Sequence, residues 1–260
     1  MKNKSVIILF LSILILDIFY PAYSDEFNFN VTELEITENG NIIKGIKGGV
    51  VNTKNEEITI TADNFKYNKL TTLLEAEGNV RLVDKVADVT IESNQIFYLK
   101  NKEEIYTKGK SVALNGSDIQ IDADQYFKYN KLTSIMEAKG SVKLDDKNEN
   151  VIIYTNEIFY FINEEKIFTL GKTNIDFEDK YNMKGSDLTL LRNEMILSSK
   201  KDAIIIDSES NTYKLEQFQY SIDKEILKGE NIVAITSDKE NKSDEFFFKT
   251  GFFDLKKNEF

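Results

Sequence analysis

Apolar and polar residues alternate along short stretches of this chain. Ile58, Ile60 and Ala62 are separated by threonines, and Ile119 and Ile121 are separated by a glutamine. A period of two is typical of β-strands that have one dry face. Asn and Gly stand at the ends of these stretches, where turns need them. The pattern therefore predicts many short strands joined by tight turns.

These stretches belong to an internal repeat. Residues 58–84 read ITITADNFKYNKLTTLLEAEGNVRLVD and residues 119–146 read IQIDADQYFKYNKLTSIMEAKGSVKLDD, and the shared FKYNKLT segment fixes an offset of 62 residues. Glycines recur at half that spacing, every 31 residues, at Gly78, Gly109, Gly140 and Gly171. A fixed period of this size indicates stacked supersecondary units, none of which buries its apolar face alone. We predict an all-β, elongated stack.

The two strong copies differ in length by one residue. Ala62 and Tyr67 are five positions apart, whereas Ala123 and Tyr129 are six apart, and the alignment places the extra residue at Tyr126. A single insertion turns every following side chain to the opposite face unless the backbone absorbs it. We therefore expect a bulge or a corner near Tyr126.

The apolar positions of the alternating pattern in the two copies define a candidate apolar interior. If the two faces of the stack close on each other, these side chains form an ordinary core; if the faces splay apart, they line an apolar trough. The sequence alone leaves both states open. The candidate inward residues are Ile58, Ile60, Phe65, Tyr67, Leu74, Val80, Leu82, Ile119, Ile121, Phe127, Tyr129, Val142 and Leu144.

The first 24 residues are interpreted as a secretory signal peptide rather than as part of the fold. Lys2 and Lys4 precede an apolar run, and Ala22-Tyr23-Ser24 gives a small-x-small cleavage pattern. An uncleaved membrane anchor is the alternative, but the run is short and Asp17 interrupts it. We predict removal of residues 1–24, leaving one continuous β domain over 25–260 with its repeat core at 55–176.

Composition narrows the function classes. The chain has a formal net charge of −11 and no cluster of basic residues, which argues against nucleic-acid binding. It contains no His and no Cys, so it lacks the commonest general base, the commonest metal ligand and any disulfide. Asp63 and Asp124 are equivalent carboxylates, but equivalent residues of a repeat lie a full repeat apart and normally play the same local role, each at the corner of its own copy. We predict no enzymatic activity, no metal site and no cofactor.

One motif resembles a known family. The pattern I-x-A-D-x-x-x-Y followed by E-A-x-G-x-V-x-L runs from Ile60 to Leu82, and recurs from Ile121 to Leu144 with the extra residue inserted. It resembles the OstA-like domain of the lipopolysaccharide-transport family. That family includes a free periplasmic bridge protein and the N-terminal domain of an outer-membrane assembly protein. The resemblance implies an open, twisted β-jelly-roll whose interior, here the thirteen candidate residues, binds the acyl chains of lipopolysaccharide.

The same resemblance implies partners and a location. They are lipopolysaccharide, homologous β-jelly-rolls or an outer-membrane β-barrel, and the periplasm with a possible outer-membrane association. The alternative is a structural or adhesive secreted β-solenoid without a lipid ligand. We also expect the aromatic runs at residues 246–248 and 252–253 to form an edge strand that pairs with another jelly-roll, because the run carries no proline to block pairing.

Overall fold

The structure is a computed structural model and describes residues 26–177, 181–237 and 243–256. The predicted signal peptide lies outside these residues. Within them the chain forms 21 strands and four single-turn 3-10 helices, the latter at Glu38–Gly40, Lys100–Lys102, Ile162–Glu164 and Arg192–Glu194. The strands are β1 Phe27–Thr37, β2 Ile42–Thr53, β3 Ile58–Ala62, β4 Asn64–Asn68, β5 Leu73–Asp84, β6 Val89–Leu99, β7 Glu104–Thr107, β8 Ser111–Asn115, β9 Ile119–Ala123, β10 Tyr126–Asn130, β11 Ile135–Asp146, β12 Val151–Phe161, β13 Lys166–Phe177, β14 Tyr181–Ser186, β15 Thr189–Leu191, β16 Ile196–Ser199, β17 Ala203–Asp207, β18 Thr212–Leu215, β19 Gln217–Ser221, β20 Ile226–Ser237 and β21 Ser243–Asp254.

The strands form one antiparallel hydrogen-bonded sheet that folds over into two facing layers. Nine long strands, β1, β2, β5, β6, β11, β12, β13, β20 and β21, cross from one layer to the other. The short strands β3, β8, β9, β14, β17 and β18 complete layer A, and β4, β7, β10, β15, β16 and β19 complete layer B. The predicted all-β, elongated jelly-roll is therefore confirmed.

The two layers are continuous along one edge, where each long strand bends. In β5, residues 80–84 pair with β3 in layer A and residues 73–77 pair with β4 in layer B. The register with β6 shifts between Glu77 and Val80. Gly78 lies at this bend with φ +81, and a Cβ there would lie 2.3 Å from the Asp63 carboxylate. Only glycine combines that left-handed backbone with that close approach.

The repeated glycines all lie along this bent edge. Gly140 bends β11 with φ +87 and Gly171 bends β13 with φ +81, while Gly109 turns the chain from β7 to β8 with φ +77. The sequence pattern predicted corners at these positions, which is confirmed. It also predicted that strands would end there, and this is wrong for β5, β11 and β13. These strands continue through the bend because their neighbours on both sides bend with them.

The extra residue of the second copy lies in the corner rather than at Tyr126. One residue, Asp63, joins β3 to β4, whereas Asp124 and Gln125 join β9 to β10. Tyr126 of β10 pairs with Lys139 of β11, just as Asn64 of β4 pairs with Glu77 of β5. The expected corner is thus present, but the assignment of Tyr126 as the extra residue is wrong. A corner absorbs an insertion without turning the next strand over.

The opposite edge of the fold consists of tight turns. Layer A turns at 54–57, 85–88, 116–118, 147–150 and 208–211, and layer B turns at 38–41, 69–72, 100–103, 131–134, 162–165, 192–195 and 222–225. Asparagine side chains shape several of them, as predicted: Asn68 Oδ1 accepts the Leu70 N–H at 3.0 Å, and Asn130 Oδ1 accepts the Thr133 N–H at 3.1 Å. We call the line where the turns of the two layers meet the hairpin seam.

Candidate functional site

The thirteen candidate residues all lie between the two layers. Each has at most 3% of its surface exposed, and all belong to one continuous apolar cluster. Aromatic contacts join the layers, such as the edge-to-face pair of Phe27 in layer A and Tyr67 in layer B, whose ring centroids are 4.9 Å apart. The structure therefore brings the candidates together in a packed interior; lipid binding by them stays a prediction.

The interior is less covered at the two ends of the stack. Leu34 and Ile36 pair with Gly45 and Ile43 and so share their inward phase, yet they are 51% and 59% exposed. At the other end Phe246 pairs with the buried Ala234 and is 41% exposed. These side chains have the inward phase but remain exposed, so the apolar interior reaches the surface at both ends.

The hairpin seam contains buried carboxylates. Asp84 ends β5 in the same phase as Val80 and Leu82 and is 0% exposed. Its Oδ1 accepts the N–H groups of Val86 and Ala87 at 3.1 and 3.3 Å, which fixes the layer A turn. A buried carboxylate needs such partners, because an unpaired charge in an apolar interior is costly.

Layer B supplies the remaining partners of Asp84. Lys131 Nζ lies 3.1 Å from Asp84 Oδ2, and the Tyr129 hydroxyl donates to the same oxygen at 3.4 Å. Lys131 also lies 3.6 Å from Glu57 Oε2. This group, which we call the Asp84 latch, joins the layers through side chains alone.

A second latch surrounds Asp146, the equivalent residue of the second copy. Asp146 is 0% exposed, and Arg192 of layer B binds it through Nε–Oδ2 at 2.6 Å and Nη2–Oδ1 at 3.4 Å. Arg192 also binds Glu165. Burial disfavours the charged guanidinium, but the Asp146 carboxylate outweighs it, so the pKa of Arg192 is raised. Arg192 therefore remains a cation in the Asp146 latch.

Buried tyrosines accompany the latches. Tyr129 binds Asp84, and the Tyr160 hydroxyl lies 3.2 Å from Asn115 Oδ1 across the seam. Burial raises the pKa of Tyr160 to about 12 although the nearby Arg192 opposes it, and burial together with Asp84 raises the pKa of Tyr129. Both phenols are thus neutral hydrogen-bond donors at ordinary pH.

The carboxylates considered for chemistry serve a corner. Asp63 Oδ2 accepts the Asn79 amide at 2.9 Å beside the Gly78 bend, and Asp124 lies at the corresponding corner of the next copy. Among the described residues there is no group of three or more His, Cys, Asp or Glu side chains arranged to hold a metal ion. In the same residues no helix is long and apolar enough to cross a bilayer.

Sequence reasoning missed the latch residues Asp84, Lys131, Asp146 and Arg192. A signal for the carboxylates was present: Asp84 follows Val80 and Leu82, and Asp146 follows Val142 and Leu144, at the alternating inward positions. A charge in the inward phase of a strand indicates a buried partner. Lys131 and Arg192 carry no comparable signal, because they lie in turns of layer B, outside the alternating pattern of a strand.

The comparisons with known proteins leave the family open. No family model matches the sequence, and no curated protein matches it. One similar solved structure is LptH, the LptA-homologous periplasmic component of the conserved lipopolysaccharide transport device from Pseudomonas aeruginosa, with a TM-score of 0.22, 12% identity, and 73% of this chain and 93% of that chain covered. Another is the TCP10 domain of Danio rerio CPAP in complex with a STIL peptide, with a TM-score of 0.21, 8% identity, and 84% and 98% covered. Such low TM-scores carry no argument, so the fold described above rests on this chain's own strand pairing.

Proposed function

We propose that this chain carries lipopolysaccharide through the periplasm by shielding its acyl chains between layers A and B. The observation that carries the proposal is a continuous apolar interior that reaches the surface at both ends, at Leu34, Ile36 and Phe246. The tandem motif at residues 60–82 and 121–144 supports the same assignment through its family resemblance. The N-terminal segment, interpreted as a signal peptide, supports the location.

Entry of acyl chains requires the layers to part. Ile58, Leu82, Phe127 and Leu144 are already packed with at most 1% exposure, and protein interiors are dense enough to leave no room for a further chain. The bent edge is held by the backbone itself, whereas the hairpin seam is held by side-chain contacts such as the two latches. In this mechanism the seam opens, the bent edge acts as the hinge, and the sugars stay outside.

A photo-crosslinking residue tests whether lipid reaches the interior. Placed at Ile121 or Phe127, both buried, it should capture lipopolysaccharide. The matched control is Gln120, the neighbour of Ile121 on the outer face of β9. Capture at Ile121 and Phe127 but not at Gln120 supports the proposal, and equal capture at all three positions contradicts it.

A reversible crosslink across the hairpin seam tests whether lipid enters the interior there. The chain has no cysteine, so Glu57→Cys with Lys131→Cys introduces the only two thiols, at positions whose native side chains lie 3.6 Å apart across the seam. A short bis-methanethiosulfonate linker, which forms a disulfide with each cysteine and releases methanesulfinate, should abolish capture at Ile121, and reduction of the disulfides should restore it. The control is the same linker between Arg81→Cys and Glu92→Cys, an ion pair on neighbouring strands of layer A. Full capture by the seam-locked protein contradicts lateral entry.

We further propose that partner jelly-rolls extend the interior end to end. β1 pairs only with β2 and β21 only with β20 among the described strands, so each presents a free edge beside the exposed inward residues. Ile36→Asp and Phe246→Asp should weaken self-association or capture of a homologous jelly-roll, measured by light scattering and pull-down. Val86→Asp, at an apolar residue of a layer A turn that is more exposed still, at 73%, is the control. Loss of association in the control alone would contradict the end-to-end arrangement.

The alternative is a structural module with no lipid ligand. The observation that favours it is the same dense packing, since Tyr129, Leu144 and Phe127 form a satisfied core without any guest. Under this alternative, crosslinking residues at Ile121 and Phe127 capture only other parts of the chain.

A further inference from the structure

The outer surface of layer B carries a groove of about 790 Å³ near the C-terminal end. Registered pairs place Thr189, Ser198, Gln219, Lys228 and Phe252 in one row across β15, β16, β19, β20 and β21. Five neighbouring strands span about 19 Å at the usual strand spacing. The groove is thus long and shallow, a shape that suits an extended ligand with several rings.

The charge of the groove is unusual for this chain. Lys200, Lys201 and Lys228 line it, and within the part of the chain that the structure describes none of them forms an ion pair. Two carboxylates also line it. Asp187 is committed to the corner, where its Oδ1 accepts the Gly171 N–H at 2.8 Å, and Glu230 is exposed. The groove has an excess of positive charge in a chain whose net charge is −11.

A second groove shows that this charge is local. It measures about 590 Å³ on the outer surface of layer A and is lined by Asp145, Asp176 and Asp207 against a single cation, Lys147. Of these two outer grooves, only the one on layer B has more cations than carboxylates in its lining, the balance that favours an anionic ligand.

The uncharged side chains of the layer B groove indicate the kind of anion. Phe252 is 57% exposed, so its ring is available to pack against the C–H face of a sugar. Gln217 and Gln219 are exposed amides that both donate and accept hydrogen bonds, as neighbouring sugar hydroxyls require. Lysine supplies the point charge that binds phosphate or carboxylate groups.

We propose that the layer B groove binds an anionic oligosaccharide through Lys201, Lys228, Gln219 and Phe252. The inference goes beyond the proposed function, since it assigns a sugar site on the outer surface and requires no lipid in the interior. A phosphorylated saccharide fits the groove whether it is free or is the head of a glycolipid.

The test uses saccharide probes without acyl chains. The full mature chain is titrated in a calorimeter with a deacylated, phosphorylated lipopolysaccharide oligosaccharide, with the same saccharide after phosphatase treatment, and with hexaglutamate. The phosphorylated probe should bind, and removal of its phosphates should weaken binding about tenfold. Lys228→Gln and Phe252→Ala should each weaken it several-fold. Lys214→Gln, an exposed lysine of layer A, should leave it unchanged.

Three outcomes overturn the proposal. They are equal affinity for the dephosphorylated probe, equal affinity for hexaglutamate, and unchanged binding in both Lys228→Gln and Phe252→Ala. Full lipopolysaccharide, titrated in parallel, separates the two sources: if the groove binds the head of the glycolipid, Lys228→Gln should weaken binding of full lipopolysaccharide by the same factor as binding of the deacylated probe, and a loss confined to the deacylated probe assigns the groove to a free saccharide. Failure here leaves capture at Ile121 untouched, and failure of capture at Ile121 leaves binding of the deacylated probe untouched, so the two proposals fail separately.

Discussion

The Asp84 and Asp146 latches occupy equivalent positions of the repeat but are built differently. Asp84 has four partners, namely two backbone N–H groups, a tyrosine hydroxyl and a lysine. Asp146 depends mainly on the two nitrogens of Arg192, with one further N–H from Glu149 at 3.3 Å. A repeat can therefore conserve a buried carboxylate while its counter-charge comes from different residues.

The difference predicts unequal dependence on the cation. Arg192 provides most of the bonds to Asp146, whereas Asp84 retains three partners without Lys131. Removing one member of a buried pair leaves the other charge uncompensated, and the cost rises with the number of bonds lost.

The largest effect is expected for Arg192→Met. Asp146 and Glu165 both lose their cation, so the free energy of unfolding should fall by about 3–5 kcal/mol. Urea unfolding followed by far-ultraviolet circular dichroism measures it. Adding Asp146→Asn to Arg192→Met should recover part of the loss, because the buried charge is then gone. A double variant no more stable than Arg192→Met contradicts the latch.

A smaller effect is expected for Lys131→Met. Asp84 keeps the N–H groups of Val86 and Ala87 and the hydroxyl of Tyr129, so the loss should be about 1–3 kcal/mol. The same urea titration compares it directly with Arg192→Met. A loss equal to or larger than that of Arg192→Met would remove the distinction between the two latches.

The smallest effect on the free energy of unfolding at neutral pH is expected for Tyr160→Phe. In alkali the parent and the variant should differ in how steeply this free energy falls with pH. Because burial raises the pKa of Tyr160 to about 12 in the folded chain, the unfolded chain releases this proton first, near pH 10. The stability that Tyr160 contributes is complete below pH 10 and is lost as pH rises toward 12. Tyr160→Phe should therefore lose less stability than the parent between pH 10 and pH 12. Parallel curves for the two proteins contradict this assignment.

The latches also show how far the sequence can predict this fold. Alternation at Ile58 and Ile60 identifies strands because it is local, and the spacing of Gly78 and Gly140 identifies corners because each corner needs the same left-handed backbone. Lys131 and Asp84 are 47 residues apart and meet only once both layers have formed. The displaced insertion has the same cause, since the pairing of Tyr126 with Lys139 depends on the neighbouring strand rather than on residues 119–129 themselves.

The repeat that sets the corners also sets the length of the stack. In layer A the chain advances from β5 through β6 to β8 in one period of 31 residues, which is two strand spacings or about 10 Å along the stack. Gain or loss of one period changes the length of the interior by that step and keeps the alternation of bends and turns. The distance that such a molecule can cover is therefore adjustable in discrete units, and a 62-residue duplication adds about 19 Å of apolar interior.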